Sequence, residues 1–103
     1  MSRITLQPKL AGETRKYPFN FASGLASDET ISTQVVTATV YSGTDASPSL
    51  IVSGAATASG SIVTQAIIGG VVGVIYELLC TITTSTSQTL ELSAALAIIQ
   101  DLT

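Results

Sequence analysis

Apolar residues recur at every second position over the last third of the chain. In the run TLELSAALAI, residues Leu90, Leu92, Ala94, Leu96 and Ile98 fall on one side, and Thr89, Glu91 and Ser93 on the other. In VIYELLCTIT, Val74, Tyr76, Leu78, Cys80 and Ile82 make one face, with Glu77, Thr81 and Thr83 opposite. A period of two is the signature of a half-buried strand, because successive side chains leave opposite faces of the pleat. KYPFNF repeats the pattern, setting Tyr17, Phe19 and Phe21 against Pro18 and Asn20. β-branched residues are frequent throughout, and no apolar stripe of helical period appears.

Glycines at 12, 24, 43, 54 and 60 and the Gly69-Gly70 pair separate the apolar runs, as turn residues do. The segments between them read as seven strands, at about 3–6, 14–22, 31–42, 49–53, 61–68, 73–84 and 88–99. TTSTSQT is the turn of the last hairpin. The fold class is therefore all-β, an immunoglobulin-like antiparallel sandwich of about seven strands. Residues 1–103 form a single domain, with 1–13 an N-terminal arm or edge strand. Pro18 removes a ladder donor, which predicts an edge strand or a bulge there. Tyr76 stands just inside the sixth strand after the corner GGVVG, where its hydroxyl can tie the corner down. The expected core is Phe19, Phe21, Val36, Val40, Tyr76, Leu78, Cys80, Leu90, Leu92 and Leu96. Alternation fails after Ser93, where Ala95, Ala97 and Ile99 make the formerly polar face apolar. Two covers for that patch are open: the N-terminal strand RITL or a middle loop of the same chain, or a neighbouring subunit, the reading preferred here.

Composition narrows the function. Charged residues are 11% of the 103, and Ser and Thr fill the gap. A surface of small neutral side chains costs little to desolvate and suits lasting contacts. All four cations, Arg3, Lys9, Arg15 and Lys16, lie in the first 16 residues, where with Glu13 the net charge is +3; the remainder carries −6, giving −3 overall. That distribution argues against nucleic-acid binding, since four cations make a poor phosphate track beside an acidic body. Residues 46–76 carry no charge, but Pro48, five glycines and a most apolar part of only Ala66 to Tyr76 predict no membrane span. No secretory leader is evident in MSRITLQPKL.

Candidate chemistry is sparse. The chain has no histidine and one cysteine, so neither a Ser-His-Asp nor a Cys-His pair can be built, nor an internal disulfide. Cys80 falls on an apolar face and reads as a buried, inert thiol. Of the acids Glu13, Asp28, Glu29, Asp45, Glu77, Glu91 and Asp101, only Asp28-Glu29 are adjacent, in a turn that reads as solvated rather than as a calcium site. Glu77 and Glu91 are expected to face each other across the last hairpin. GGVVG lacks the lysine and helix of a phosphate loop. No catalytic, cofactor-binding or metal-ligating residue is assigned, and no cofactor is implied.

The stretches YPFNFASGLASDETISTQVVTATV and GGVVGVIYELLCTITTSTSQTLEL carry a resemblance. Leu25, Ala26, Asp28, Glu29, Thr30 and Ile31 make an acidic turn after a strand, and Gly69, Gly70, Gly73 and Tyr76 a glycine corner before a terminal hairpin. Over residues 14–99 the chain resembles the small immunoglobulin-like virion proteins of tailed bacteriophages, of the fiber-tail adaptor type. It departs from them in having no tryptophan, and residues 43–60 match nothing in the pattern. The resemblance implies a non-enzymatic virion part, made in the host cytoplasm and repeated in a ring, that links tail or portal proteins to fibers. Two alternatives remain: a capsid decoration protein bound to capsid protein, and a carbohydrate- or receptor-binding module, for which aromatic platforms are few.

Overall fold

The computed structural model describes residues 4–100. Arg3, at the start of the first expected strand, and Asp101 lie outside them. The strands in chain order are β1 (Ile4–Thr5), β2 (Lys9–Leu10), β3 (Arg15–Asn20), β4 (Ile31–Ser42), β5 (Val52–Ser59), β6 (Ile62–Ile67), β7 (Ile75–Thr84) and β8 (Thr89–Ile99). One sheet runs β1-β8-β7-β4, with β2 pairing β8 farther along; the other runs β3-β6-β5. The molecule is thus an all-β sandwich, as the period of two predicts. β1 and β2 run parallel to β8, and every other pair is antiparallel.

The alternating positions meet between the sheets. Phe19, Val63 and Ile67 from one sheet and Tyr76, Leu78, Cys80, Ile82 and Leu96 from the other have no exposed surface. Tyr17, Phe19 and Phe21 are buried, while Pro18 and Asn20 are exposed. β3 is an edge strand without a bulge, which gives Pro18 its place. Of the expected core, Val40, Leu90 and Leu92 are only partly buried and pack against the cluster from its margin.

The middle differs from expectation. The strand expected at 49–53 is instead a 3-10 turn, Pro48–Ile51, followed by β5, which continues to Ser59. Pro48 opens the turn because its fixed φ suits that position. Gly54, read as a terminator, sits inside β5 at φ 71, where the pairing with β6 shifts register between Ser53 and Thr57. A glycine in a strand interior often marks such a bulge. The buried Gln65 amide donates to the carbonyls of Ser53 at 2.9 Å and Gly54 at 3.2 Å, so the irregular backbone does not go unpaired.

The last hairpin corrects a second expectation. Glu77 pairs with Ala95 and Glu91 with Thr81, so the two carboxylates are not opposite. Facing each other would require a turn centred on Thr84. The loop is instead centred on Thr86: the Thr84 amide donates to the Gln88 carbonyl, the Ser87 amide to the Thr84 carbonyl, and Ser87 takes φ 64. This three-residue loop with a left-handed last residue is a common hairpin connection.

β2 was not among the expected strands. It is short, but it carries Lys9, which has no exposed surface. The Lys9 ammonium donates to the carbonyls of Gly69 at 2.7 Å and Leu10 at 2.8 Å, with Ala11 at 3.4 Å. Three acceptors match its three donors. The arm is thereby tied to the glycine corner 60 residues away in sequence.

Candidate docking surfaces

Among the described residues no group of three His, Cys, Asp or Glu could hold a metal ion. Cys80 is buried, and burial pushes its thiol up to about 12, which removes the nucleophilic thiolate. Asp28 is exposed, whereas Glu29 organises its turn: its carboxylate accepts from the Ala26 amide at 3.0 Å and from the Thr86 hydroxyl. The hydroxyls of Thr84 and Thr86 and the Ala26 amide hold the Glu29 carboxyl below the usual range. Glu29 is therefore part of a turn-to-turn clasp.

The molecule measures 43 × 23 × 19 Å. β4, with 12 residues at ~3.3 Å each, accounts for the long dimension. The connections therefore gather at two ends. At one end lie the loops 11–14, 43–51 and 68–74, and at the other the turns 22–30, 60–61 and 85–88.

Two loops of the first end, 43–51 and 68–74, expose large apolar residues. Leu50 is 72% exposed, Val72 47%, Val71 44% and Ile68 38%, and the Ile68 amide donates to Ile51 across the two loops. Asp45 is the one charged residue in these loops. The Tyr76 hydroxyl, expected to secure the corner, does so: it donates to Asp45 Oδ2 at 2.6 Å and accepts from the Val71 amide at 2.9 Å. That bond and the Ser47 amide hold the Asp45 carboxyl below the ordinary aspartate range, while burial, with the bond to Asp45 adding to it, raises the Tyr76 phenol. Gly70 approaches Ile98 so closely that a Cβ there would stand 2.7 Å from Ile98 Cγ1. The apolar loops are thus held in one shape from beneath. Leu50, Ile68, Val71 and Val72 are exposed on a braced support.

The second end is polar. Its turns carry Ser23, Ser27, Asp28, Glu29, Thr30, Ser61, Ser85, Thr86, Ser87 and Gln88, with no cation. The outer face of the larger sheet differs again. Val35 is 53% exposed and Tyr41 57%, beside the half-buried Ile75, Leu79, Ala95, Ala97 and Ile99. β1 and β2 pair with β8 edge to edge.

Val71 and Val72 fall in the GGVVG corner and Ile68 in the apolar part Ala66 to Tyr76, but the sequence does not mark them, or Leu50, as exposed. The signal was the charge-free run 46–76, which covers most of both loops but also β5 and β6, and only the fold separates its exposed from its buried members.

No curated protein matches the chain. A family model described as podophage GP4 fiber-tail adaptor protein gp77 matches residues 9–97, which includes both ends, the glycine corner and the last hairpin. With nearly the whole described fold inside that match, the chain belongs to the podophage GP4 fiber-tail adaptor family gp77, phage virion proteins of adaptor type.

Proposed function

We propose that this protein is a two-ended structural link, seated between the tail or portal complex and the fibers, with no catalytic role of its own. The observation that carries the reading is the chemical difference between the two ends of an elongated, uniformly β molecule. An adaptor has to hold two unlike partners, and one apolar end with one acidic, hydroxyl-rich end suits that task. The apolar end belongs against a partner for good, because leaving it in water would keep four large apolar side chains hydrated. The polar end suits a contact formed by hydrogen bonds and by cations of the partner. Copies stand side by side in a ring, as the resemblance implied, with the weakly charged outer face of the larger sheet as the lateral contact. The chain is made in the host cytoplasm and retained in the virion.

The test is Leu50→Asp with Val72→Asp. Leu50 is mostly and Val72 nearly half exposed, so the isolated protein stays folded, and incorporation into particles is lost. Incorporation at the unmodified level would overturn the assignment of this end as a docking surface.

A further inference from the structure

We infer that the N-terminal arm sets the shape of the docking loop 68–74. Lys9, when seated, is the positioning residue that holds Ile68, Val71 and Val72 in place for the partner, and release of the arm disables that end. The inference rests on the reading of this end as a docking surface and adds a control element to it.

Loop 68–74 exposes three large apolar residues on a backbone that does not fix itself. Gly69 and Gly70, between Ile68 and Val71, take φ 60 and φ 101. Glycine visits both halves of the φ range at little cost, so a Gly-Gly pair keeps one shape only where other groups hold it. On either side of the pair the grips come from the sandwich. The Ile68 amide donates to the Ile51 carbonyl at 2.8 Å, the Val71 amide to the Tyr76 hydroxyl at 2.9 Å and the Gly73 amide to the Ile98 carbonyl at 2.9 Å. At the pair itself the grip comes from the arm: the Gly69 carbonyl accepts from the Lys9 ammonium at 2.7 Å. Among the described residues it is the only hydrogen bond made by either glycine. Gly70 also leans on Ile98, and Ile98 is the residue of β8 that pairs with Lys9. Loop and arm therefore meet on one residue.

The arm is the grip that can let go. Tyr76 and Ile98 stand in strands of 10 and 11 residues, whereas β1 and β2 have two residues each. Few ladder pairs mean a low free energy of local opening. Lys9 sits on β2 itself, so its ammonium leaves Gly69 when the arm lifts. Its bonds to Leu10 and Ala11 lie within the arm, and only the reach to Gly69 joins arm to loop. The turn that delivers it is internally bonded, with the Leu10 amide donating to Glu13 Oε1 at 2.9 Å and the Glu13 amide to the Leu10 carbonyl at 3.0 Å. Lifting the arm thus removes the donor of Gly69, frees the glycine pair to turn, and shifts Ile68, Val71 and Val72 relative to Leu50. Linkage is reciprocal, so a partner that binds the loop in its held shape also secures the arm.

The experiment uses Lys9→Met, which keeps an unbranched stem and removes the ammonium. Amide hydrogen exchange is followed by mass spectrometry in the isolated full chain, over residues 68–74 and over the β7–β8 hairpin. The expected result is exchange over 68–74 at least about tenfold faster with the hairpin unchanged, and incorporation into particles at least about tenfold lower. Unchanged exchange over 68–74 would overturn the inference and leave the adaptor reading standing. An equal rise in loop and hairpin would mean a general loss of stability in place of positioning, and would also overturn it. A faster loop with normal incorporation would break the link to docking; normal incorporation of Leu50→Asp with Val72→Asp would then remove the docking reading as well. The reciprocal measurement needs no variant and decides the matter if Lys9→Met does not fold. Exchange at Leu6, whose amide donates to the Ala95 carbonyl at 2.9 Å, should be at least about tenfold slower in assembled particles than in the isolated chain. Equal exchange in the two would overturn the inference.

Discussion

Tyr76 joins three segments through one hydroxyl. It sits in β7, donates to Asp45 in the loop after β4, and accepts from Val71 in the glycine corner. Tyr76→Phe keeps the ring in the core and deletes both bonds, so the expected loss is about 1–2 kcal/mol in urea unfolding. The bond also sets a pH dependence. The folded carboxyl of Asp45 lies below its unfolded value, so the stabilisation is complete above the unfolded pKa and is lost as pH falls through the folded one. Acid titration of stability should therefore be flatter in Tyr76→Phe than in the unmodified protein. Equal slopes would show that the bond does not persist in solution.

At the level of elements, the N-terminal arm is held by few pairs but by one unusual anchor. β1 and β2 contribute two residues each, and Lys9 bonds three backbone carbonyls with no water-exposed surface. Burial pulls the Lys9 ammonium down from its ordinary range, partly offset by Glu13. Lys9→Ala should cost about 3 kcal/mol, because buried carbonyls lose a charged donor, and limited proteolysis should then cut the arm first. An unchanged proteolysis pattern would mean that the strand pairs alone suffice. This anchor was not legible in the sequence: a lysine between Pro8 and Leu10 reads as a surface cation, and its acceptors come from a corner distant in the chain. β4, β7 and β8 were legible because a two-sided environment imposes strict alternation. β5 was not, because Ala55, Ala56 and Ala58 alternate weakly and the Gly54 irregularity breaks the pattern midway. Leu90 and Leu92 were read as full core because periodicity reports which face a residue takes, not whether anything covers that face.

On the scale of the whole molecule, the same sandwich carries an apolar end, an acidic and hydroxyl-rich end, and a weakly charged flank. The flank makes its own prediction. Ala97→Glu with Ile99→Asp should leave the isolated protein folded and block incorporation, if β8's outer face meets a neighbouring copy. A collapse of the melting temperature would instead make that face internal. The parallel arm has a consequence of another kind. Ile4 pairs with Ala94, so the earliest strand has no partner until the latest one exists. During synthesis the ribosome must release β8 before the arm can close, whereas β7 and β8 can zip together as neighbours in sequence. A prematurely terminated copy thus lacks both the closing strand and the flank it carries. Seating of the arm therefore waits on β8, and a copy without β8 loses the arm's partner and the flank together.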